Sequence, residues 1–246
     1  AGHIGQPRQA GTAARIFTGA PVPEGTDTVV MQEDCEVDDG RVRVQRAPKT
    51  GANIRRAGED IRVGQTVLTP GDRLTPARLG VAASVGATDL TVYRRLKVAV
   101  FFTGDEIVMP GQTLAPGRIY NSNRATLRGL LDQLGCEIVD LGQVPDRLDA
   151  TVAVLERAAA QADVVITSGG VSVGEEDHVK AALERLGRID MWQVAMKPGK
   201  PLVHGRVGDS DFLGLPGNPV SAFVVFCLFA RPFLLARMGA AVAPLK

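Results

Sequence analysis

The chain has 246 residues, 45% of them hydrophobic and 22% charged, with 28 basic against 27 acidic side chains and a formal charge of +1. That length and composition support at least one full core, with room for two units of unequal size. The balanced charge, with no Lys/Arg block interleaved with aromatics, argues against a nucleic-acid groove, and the widely spaced Cys35, Cys136 and Cys227 suggest neither a disulfide framework nor a zinc site, so a reducing cytoplasm fits.

Residues 1–62 are rich in Gly, Pro and β-branched side chains, and residues 1–23 lack the basic start and apolar core of a secretory signal. Short runs at 35–37 and 41–44 flank Asp38-Asp39-Gly40, a hairpin turn in which glycine supplies positive φ. A small β-rich domain is expected there. Residues 63–95 form a connecting helical segment: Thr75 is placed to cap a helix, Pro76 sits in its first turn and Gly86 follows its end.

From residue 96 to about 240 strand, turn and helix repeat. KVAVFF ends at Thr103-Gly104-Asp105-Glu106, and Leu127, Leu130, Leu131 and Leu134 then recur at helical spacing before Gly135. CEIVDLGQV leads to Asp146 and a helix with Leu148, Val152, Leu155 and Ala159 on one face. ADVVIT leads to TSGGVSVGEEDH and a helix bearing Val179, Ala182, Leu183 and Leu186, stopped by Gly187. Short strands are expected around 193–196, 202–204 and 212–215. A final buried helix starts near Val220. Its apolar run, 220–230, is shorter than the roughly 20 residues a bilayer requires and is interrupted by Arg231-Pro232, so no membrane span is expected. The alternation implies an α/β domain with a mostly parallel sheet and helices on both faces. Residues 241–246 are a tail.

In an open parallel sheet the ligand crevice lies beyond the carboxyl ends of the strands. Thr103 to Glu106, Asp146, and Ser168 to Asp177 all occupy such ends. Gly169 and Gly170 permit close approach to the backbone, where successive N–H groups attract a phosphate. Nearby carboxylates have the opposite sign, which a phosphorylated ligand bridged by Mg²⁺ would reconcile. Taken singly, Asp146 and Asp177 also read as helix caps, Glu175 and Glu176 as solvated first-turn acids, and Gly104 as a simple turn. The shared sheet edge is what favours a site.

Lys197 and Lys200, spaced by Pro198-Gly199, suit an oxyanion, although a basic surface turn has the same pattern. LPGNPVS places Pro216 and Pro219 just before a helix, so the Val220 and Ser221 amides could face an anion. IRRAGED adds Arg55, Arg56, Glu59 and Asp60, by itself an ordinary charged segment. GVSVG matches a nucleophile elbow, but Ser168 to Gly170 separate the strand from Ser172, which argues against a serine hydrolase. No Lys-Ser/Thr follows Gly174, so a Walker loop is excluded, and His3, His178 and His204 have no metal-ligand spacing.

FTGDE at 102–106, IYNSN at 119–123, TSGGVSVGEEDH at 167–178, MKPGKPL at 196–202 and GLPGNPVSA at 214–222 together resemble the molybdopterin molybdenumtransferase (MoeA) family, to which the gephyrin E domain is similar. RIFTGAPVPEGTDTVVMQE at 15–33 and NIRRAGEDI at 53–61 extend the resemblance over nearly the whole chain. It implies a three-layer α/β/α domain of the MoaB/Mog type. It also implies insertion of molybdate into adenylylated molybdopterin, with Mg²⁺-dependent release of AMP. By motif match, Glu106, Asp146 and Asp177 serve metal or acid/base work; Lys197, Lys200 and Ser221 serve molybdate; and Gly104, Asp105, Ser168, Gly169 and Gly170 serve the pterin phosphate, with Thr103, Pro216 and Pro219 lining the substrate site. Thr18 and Asp60 match functional positions of the β-unit, which in this family complete the partner subunit's cleft, implying a cytoplasmic homodimer. The family's SAMDGYA-like stretch and C-terminal β-domain have no counterpart here, so a ligand-binding core with weak or no complete turnover is expected. A CinA-like nucleotide hydrolase and a gephyrin-like, non-enzymatic scaffold are the alternatives.

Overall fold

A computed structural model of the chain describes residues 2, 4–171 and 178–242. Two compact units divide it, residues 1–67 and 68–246.

In the first unit, strands β1 (Cys35–Asp38) and β2 (Arg41–Val44) form an antiparallel hairpin. Asp38 pairs with Arg41, so Asp39 and Gly40 make a two-residue loop, and both have positive φ, 40° and 73°. That conformation matches the right-handed twist of the flanking strands. Pro23 is the one buried residue among those described in this unit.

The second unit opens with α1 (Pro76–Ser84), where the Thr75 hydroxyl accepts from the Arg78 N–H and Gly86 takes φ +84° after its end. Further along lie β3 (Lys97–Thr103), the short pair β4 (Ile107–Val108) and β5 (Ile119–Tyr120), α2 (Ser122–Leu134), β6 (Glu137–Val144), α3 (Leu148–Ala159), β7 (Val164–Ser168), α4 (His178–Leu186), β8 (Gly187–Trp192), β9 (Val203–Val207) and β10 (Ser210–Leu215). The main sheet has the order β6-β3-β7-β10-β9-β8. Its first four strands are parallel, and β9 runs antiparallel to both β10 and β8.

Strand alternation divides the core in two. Val98, Val100 and Phe102 of β3, with Ile166, Leu213 and Leu215, face α2 and the C-terminal helix. Ala99 and Phe101, with Val165 and Phe212, face α3 and α4. The result is the expected three-layer α/β/α arrangement. On α3 the most buried face is Thr151, Val154, Leu155 and Ala158, rotated from the expected Leu148, Val152, Leu155 and Ala159, three of which pack at its margin.

Three expectations change. Gly187 does not cap α4 in a left-handed turn. It begins β8, where a Cβ would lie 1.8 Å from the Arg206 carbonyl oxygen, so its role is close approach to β9. The strand expected at 193–196 is displaced to β8, whose edge position leaves most of it exposed and therefore without an apolar signature. The final helix is not interrupted at Arg231-Pro232. It runs through α5 (Pro219–Val225), a π turn (Phe226–Ala230) and α6 (Arg231–Arg237). Arg231 donates to the Phe226 carbonyl, five residues back, and this wider turn accommodates the Pro232 ring. At 19 residues, the helix is long and apolar enough to cross a membrane by length and composition alone. Here Ala222, Val225, Phe226, Ala230 and Leu234 are buried as core residues.

Candidate active site

The sheet order places the carboxyl ends of β3, β7 and β10 side by side, and each end is followed by a backbone that only small or constrained residues can trace. After β3, Gly104 has φ +137°, and a Cβ there would meet the Glu106 carboxylate at 2.7 Å. After β7, Gly169 and Gly170 have φ +96° and +66°. A Cβ on Gly169 would lie 2.5 Å from the Thr103 carbonyl oxygen, and one on Gly170 would lie 2.7 Å from the Thr103 hydroxyl. Glycine is required at both positions for the β3 and β7 ends to approach one another. After β10, Pro216 and Gly217 turn the chain into α5.

These ends enclose a cleft of about 440 Å³. Thr103, Gly104 and Glu106 form one side, Ser168, Gly169 and Gly170 the floor, and Pro216, Gly217 and Ser221 the opposite wall; Asp146 reaches it from beyond β6. Nine residues singled out in the sequence thus converge on one space. Asp105 lies instead on a neighbouring open cleft of about 480 Å³ with Gln112, Arg118 and Gln143. Lys197, Lys200 and Pro219 do not line the 440 Å³ cleft, although Pro201 does; both lysines stand exposed on their loop. Asp60 and Thr18 belong to the first unit, where Asp60 pairs with Arg55 at 3.0 Å. Asp177, like Ser172, Glu175 and Glu176, lies outside the described residues.

Asp146 is not the cap of α3: Arg147 occupies that position, and Asp146 lines the cleft. Its N–H donates to the Asp105 carboxylate at 3.4 Å. Glu106 and Asp146 thus put two hard oxygen donors on one cleft, the number that a Mg²⁺ ion shared with a phosphate uses. No cluster of three metal-ligating side chains occurs among the described residues.

The expected amide cradle is narrower than the sequence suggests. The Gly169 N–H donates to the Leu215 carbonyl at 3.2 Å. The Ser221 N–H donates to the Asn218 side chain at 3.1 Å, as a helix cap. The Ser168 hydroxyl donates to the Pro216 carbonyl at 2.9 Å. By contrast, the Thr103 hydroxyl and the Asn121 side-chain nitrogen, both on cleft-lining residues, are buried without a hydrogen-bond partner, while the Asn121 side-chain oxygen accepts from the Arg124 N–H at 3.1 Å. Each such group costs about 1–3 kcal/mol until it is satisfied.

Two carboxamides absent from the sequence-based set hold the walls. Gln143 donates to the Gly104 and Ile107 carbonyls at 3.0 and 2.9 Å, bracing the turn that carries Glu106. Asn123, near the start of α2, donates to the Ser168 hydroxyl and to the Gly217 carbonyl, each at 2.8 Å. Asn123 lies within the IYNSN motif, and the position of that motif before an amphipathic helix was the available signal.

A family model described as a probable molybdopterin binding domain matches residues 99–236, and one described as the MoeA N-terminal region (domain I and II) matches residues 1–86. The chain is 48% identical over 229 residues to a protein of Haemophilus influenzae named molybdopterin molybdenumtransferase, covering 93% of this chain and 57% of that protein. It is 43% identical over 236 residues to molybdopterin molybdenumtransferase 2 of Mycobacterium tuberculosis, covering 93% and 58%. The crystal structure of a molybdopterin biosynthesis MoeA protein from Pyrococcus horikoshii superposes with a TM-score of 0.69 at 32% identity, over 96% of this chain and 62% of that one. The chain therefore spans less than two thirds of the length of the relatives it matches.

Proposed function

This chain belongs to the MoeA family, carrying the family's N-terminal region ahead of a probable molybdopterin binding domain, and from that premise we propose that its cleft binds adenylylated molybdopterin for molybdate insertion with release of AMP. The observation that carries the reading is the convergence of three glycine-bearing strand ends and two carboxylates on one cleft. Gly169 and Gly170 allow the terminal phosphate of the pterin to lie against the backbone. The unpaired Thr103 hydroxyl and Asn121 side-chain nitrogen are suited to oxygen acceptors of such a ligand. Glu106 and Asp146, joined by Asp177, would hold Mg²⁺, which when bound supplies charge neutralisation at the phosphoanhydride.

In that chemistry water adds at phosphorus, the bond to the AMP oxygen breaks, and Glu106 or Asp146 orients the water and takes its proton. Lys197, Lys200 and Ser221 serve molybdate, a tetrahedral dianion for which ammonium groups are apt counter-charges. A cytoplasmic homodimer belongs to the same reading. Titration with molybdopterin should saturate, and any AMP released from the adenylylated form should depend on added molybdate. Absence of saturable binding removes the proposal. AMP release indifferent to molybdate would replace it with plain phosphoanhydride hydrolysis.

A further inference from the structure

We infer that Asn123 is a positioning residue, holding the Pro216–Gly217 wall of the cleft against the end of β7 so that the ligand-facing surface is built before a ligand arrives. Asn123 is 8% exposed, and its side-chain amide donates to both sides of this junction. One contact goes to the Ser168 hydroxyl at 2.8 Å, the other to the Gly217 carbonyl at 2.8 Å.

The direction of the hydrogen bonds is fixed. Asn123 donates to Ser168, and Ser168, whose single proton is thereby free to point onward, donates to the Pro216 carbonyl at 2.9 Å. Two successive carbonyls of the wall, at 216 and 217, are thus gripped from the same side chain, one directly and one through a relay. The Asn123–Ser168–Pro216 relay is buried, so breaking it leaves a hydroxyl or a carbonyl unsatisfied, while the contact to Gly217 is part-buried. The wall begins α5, where Asn218 caps the Ser221 N–H. Displacing Gly217 therefore moves the helix start and Ser221 together. It also moves Gly169, because the Gly217 Cα region packs against it, with a Cβ on Gly217 falling 3.7 Å from the Gly169 Cα. Ser168, matched to the pterin phosphate by its motif, acts in this arrangement as a strut.

Asn123→Asp is the incisive variant. It keeps the shape and replaces the donor with a carboxylate facing the Gly217 carbonyl, two acceptors that repel. Leu155→Ala, in the core on the opposite face of the sheet, is the stability control. Hydrogen exchange of residues 214–221, measured well below each melting temperature, should quicken at least about tenfold in Asn123→Asp and stay near wild type in Leu155→Ala. The affinity for molybdopterin, a measurement that rests on the proposed function, should weaken about tenfold or more in Asn123→Asp alone. Should Asn123→Asp fail to fold, Ser168→Ala breaks the relay alone and should show the same two changes at smaller size. Unchanged exchange at 214–221 overturns the inference whatever the ligand does; so does unchanged affinity when wild type binds. If wild type does not bind molybdopterin, the functional reading falls, and exchange alone decides the strut.

Discussion

In residues 1–67 only Pro23 is buried among the residues described, whereas β3 of the second unit contributes six consecutive buried residues to a sheet covered on both faces. The apolar side chains of the small unit do not make up the difference: Phe17 is 65% exposed and Val37 76%. Its conformation is set by the backbone instead. The Arg8 N–H bonds the Glu24 carbonyl, the Gly51 N–H bonds the Asp27 carbonyl, and Asn53 reaches the Val29 carbonyl, each at 2.8 Å. Turn chemistry can specify such a path, but it offers little area to remove from water, and burial is the dominant favourable term in folding. The lesson is that a cleft needing positions fixed to a fraction of an ångström belongs in the second unit, where displacement of one strand disturbs two cores.

Core truncation tests that contrast with the largest effect. Phe101→Ala removes a fully buried ring between β3 and α3, and should lower stability by about 3–5 kcal/mol in urea unfolding, whereas Val37→Ala should stay within about 0.5 kcal/mol. Equal losses would mean that the hairpin is as tightly integrated as the sheet. A pair of glycines sharpens the point. Gly19 and Gly169 both have positive φ, 80° and 96°, but a Cβ at Gly19 meets nothing within 4 Å while one at Gly169 strikes the Thr103 carbonyl at 2.5 Å. Gly19→Ala should cost about 1 kcal/mol of backbone strain. Gly169→Ala should cost about 2–3 kcal/mol and abolish molybdopterin binding, since relief requires parting β3 from β7.

A smaller effect is a pH dependence at Asp163 in the second unit. Arg94 pairs with Asp163, which also accepts from the Lys97 N–H at 2.9 Å, and these partners bring the carboxyl from 3.8 to about 2. A lowered folded-state value means stabilisation present above the ordinary carboxylate range and lost as pH falls from about 4 through about 2. Asp163→Asn should therefore reduce the melting temperature at pH 7 and converge with wild type near pH 2. A constant difference across that window would show that geometry, not charge, carries the contribution. In the small unit, Asp60→Asn, removing the exposed pair with Arg55, should leave thermal unfolding unchanged.

How far the sequence could be read depended on the kind of burial. β3 and β7 are covered on both faces and appear as unbroken apolar runs, while β8, GRIDMW, lies at an edge and carries no such mark. The hairpin was legible because Asp39-Gly40 is chemistry local to the turn. The cleft was legible from the strand ends, and with it Asp146, Glu106 and the two glycines. What could not be read was which donors were already occupied. The Gly169 N–H belongs to Leu215, the Ser221 N–H to Asn218 and the Ser168 proton to Pro216. Two of these three pairings join residues more than 40 positions apart, and local pattern cannot report them. The same holds for Asn123 and Gln143, whose amide side chains look ordinary until the sheet brings their acceptors into reach.

The π turn before Pro232 works as a phase adjuster. Each residue of an α-helix advances the azimuth by about 100°, so the extra residue held in that turn decides the direction in which everything after it points. Leu234 faces the core and Arg237 meets Asp211 at 2.8 Å because of that added rotation. Closing that turn to ordinary α geometry without changing the residue count would swing both side chains away from their targets. The seam between the last helix and β10 is thereby keyed to the wider turn that precedes Pro232.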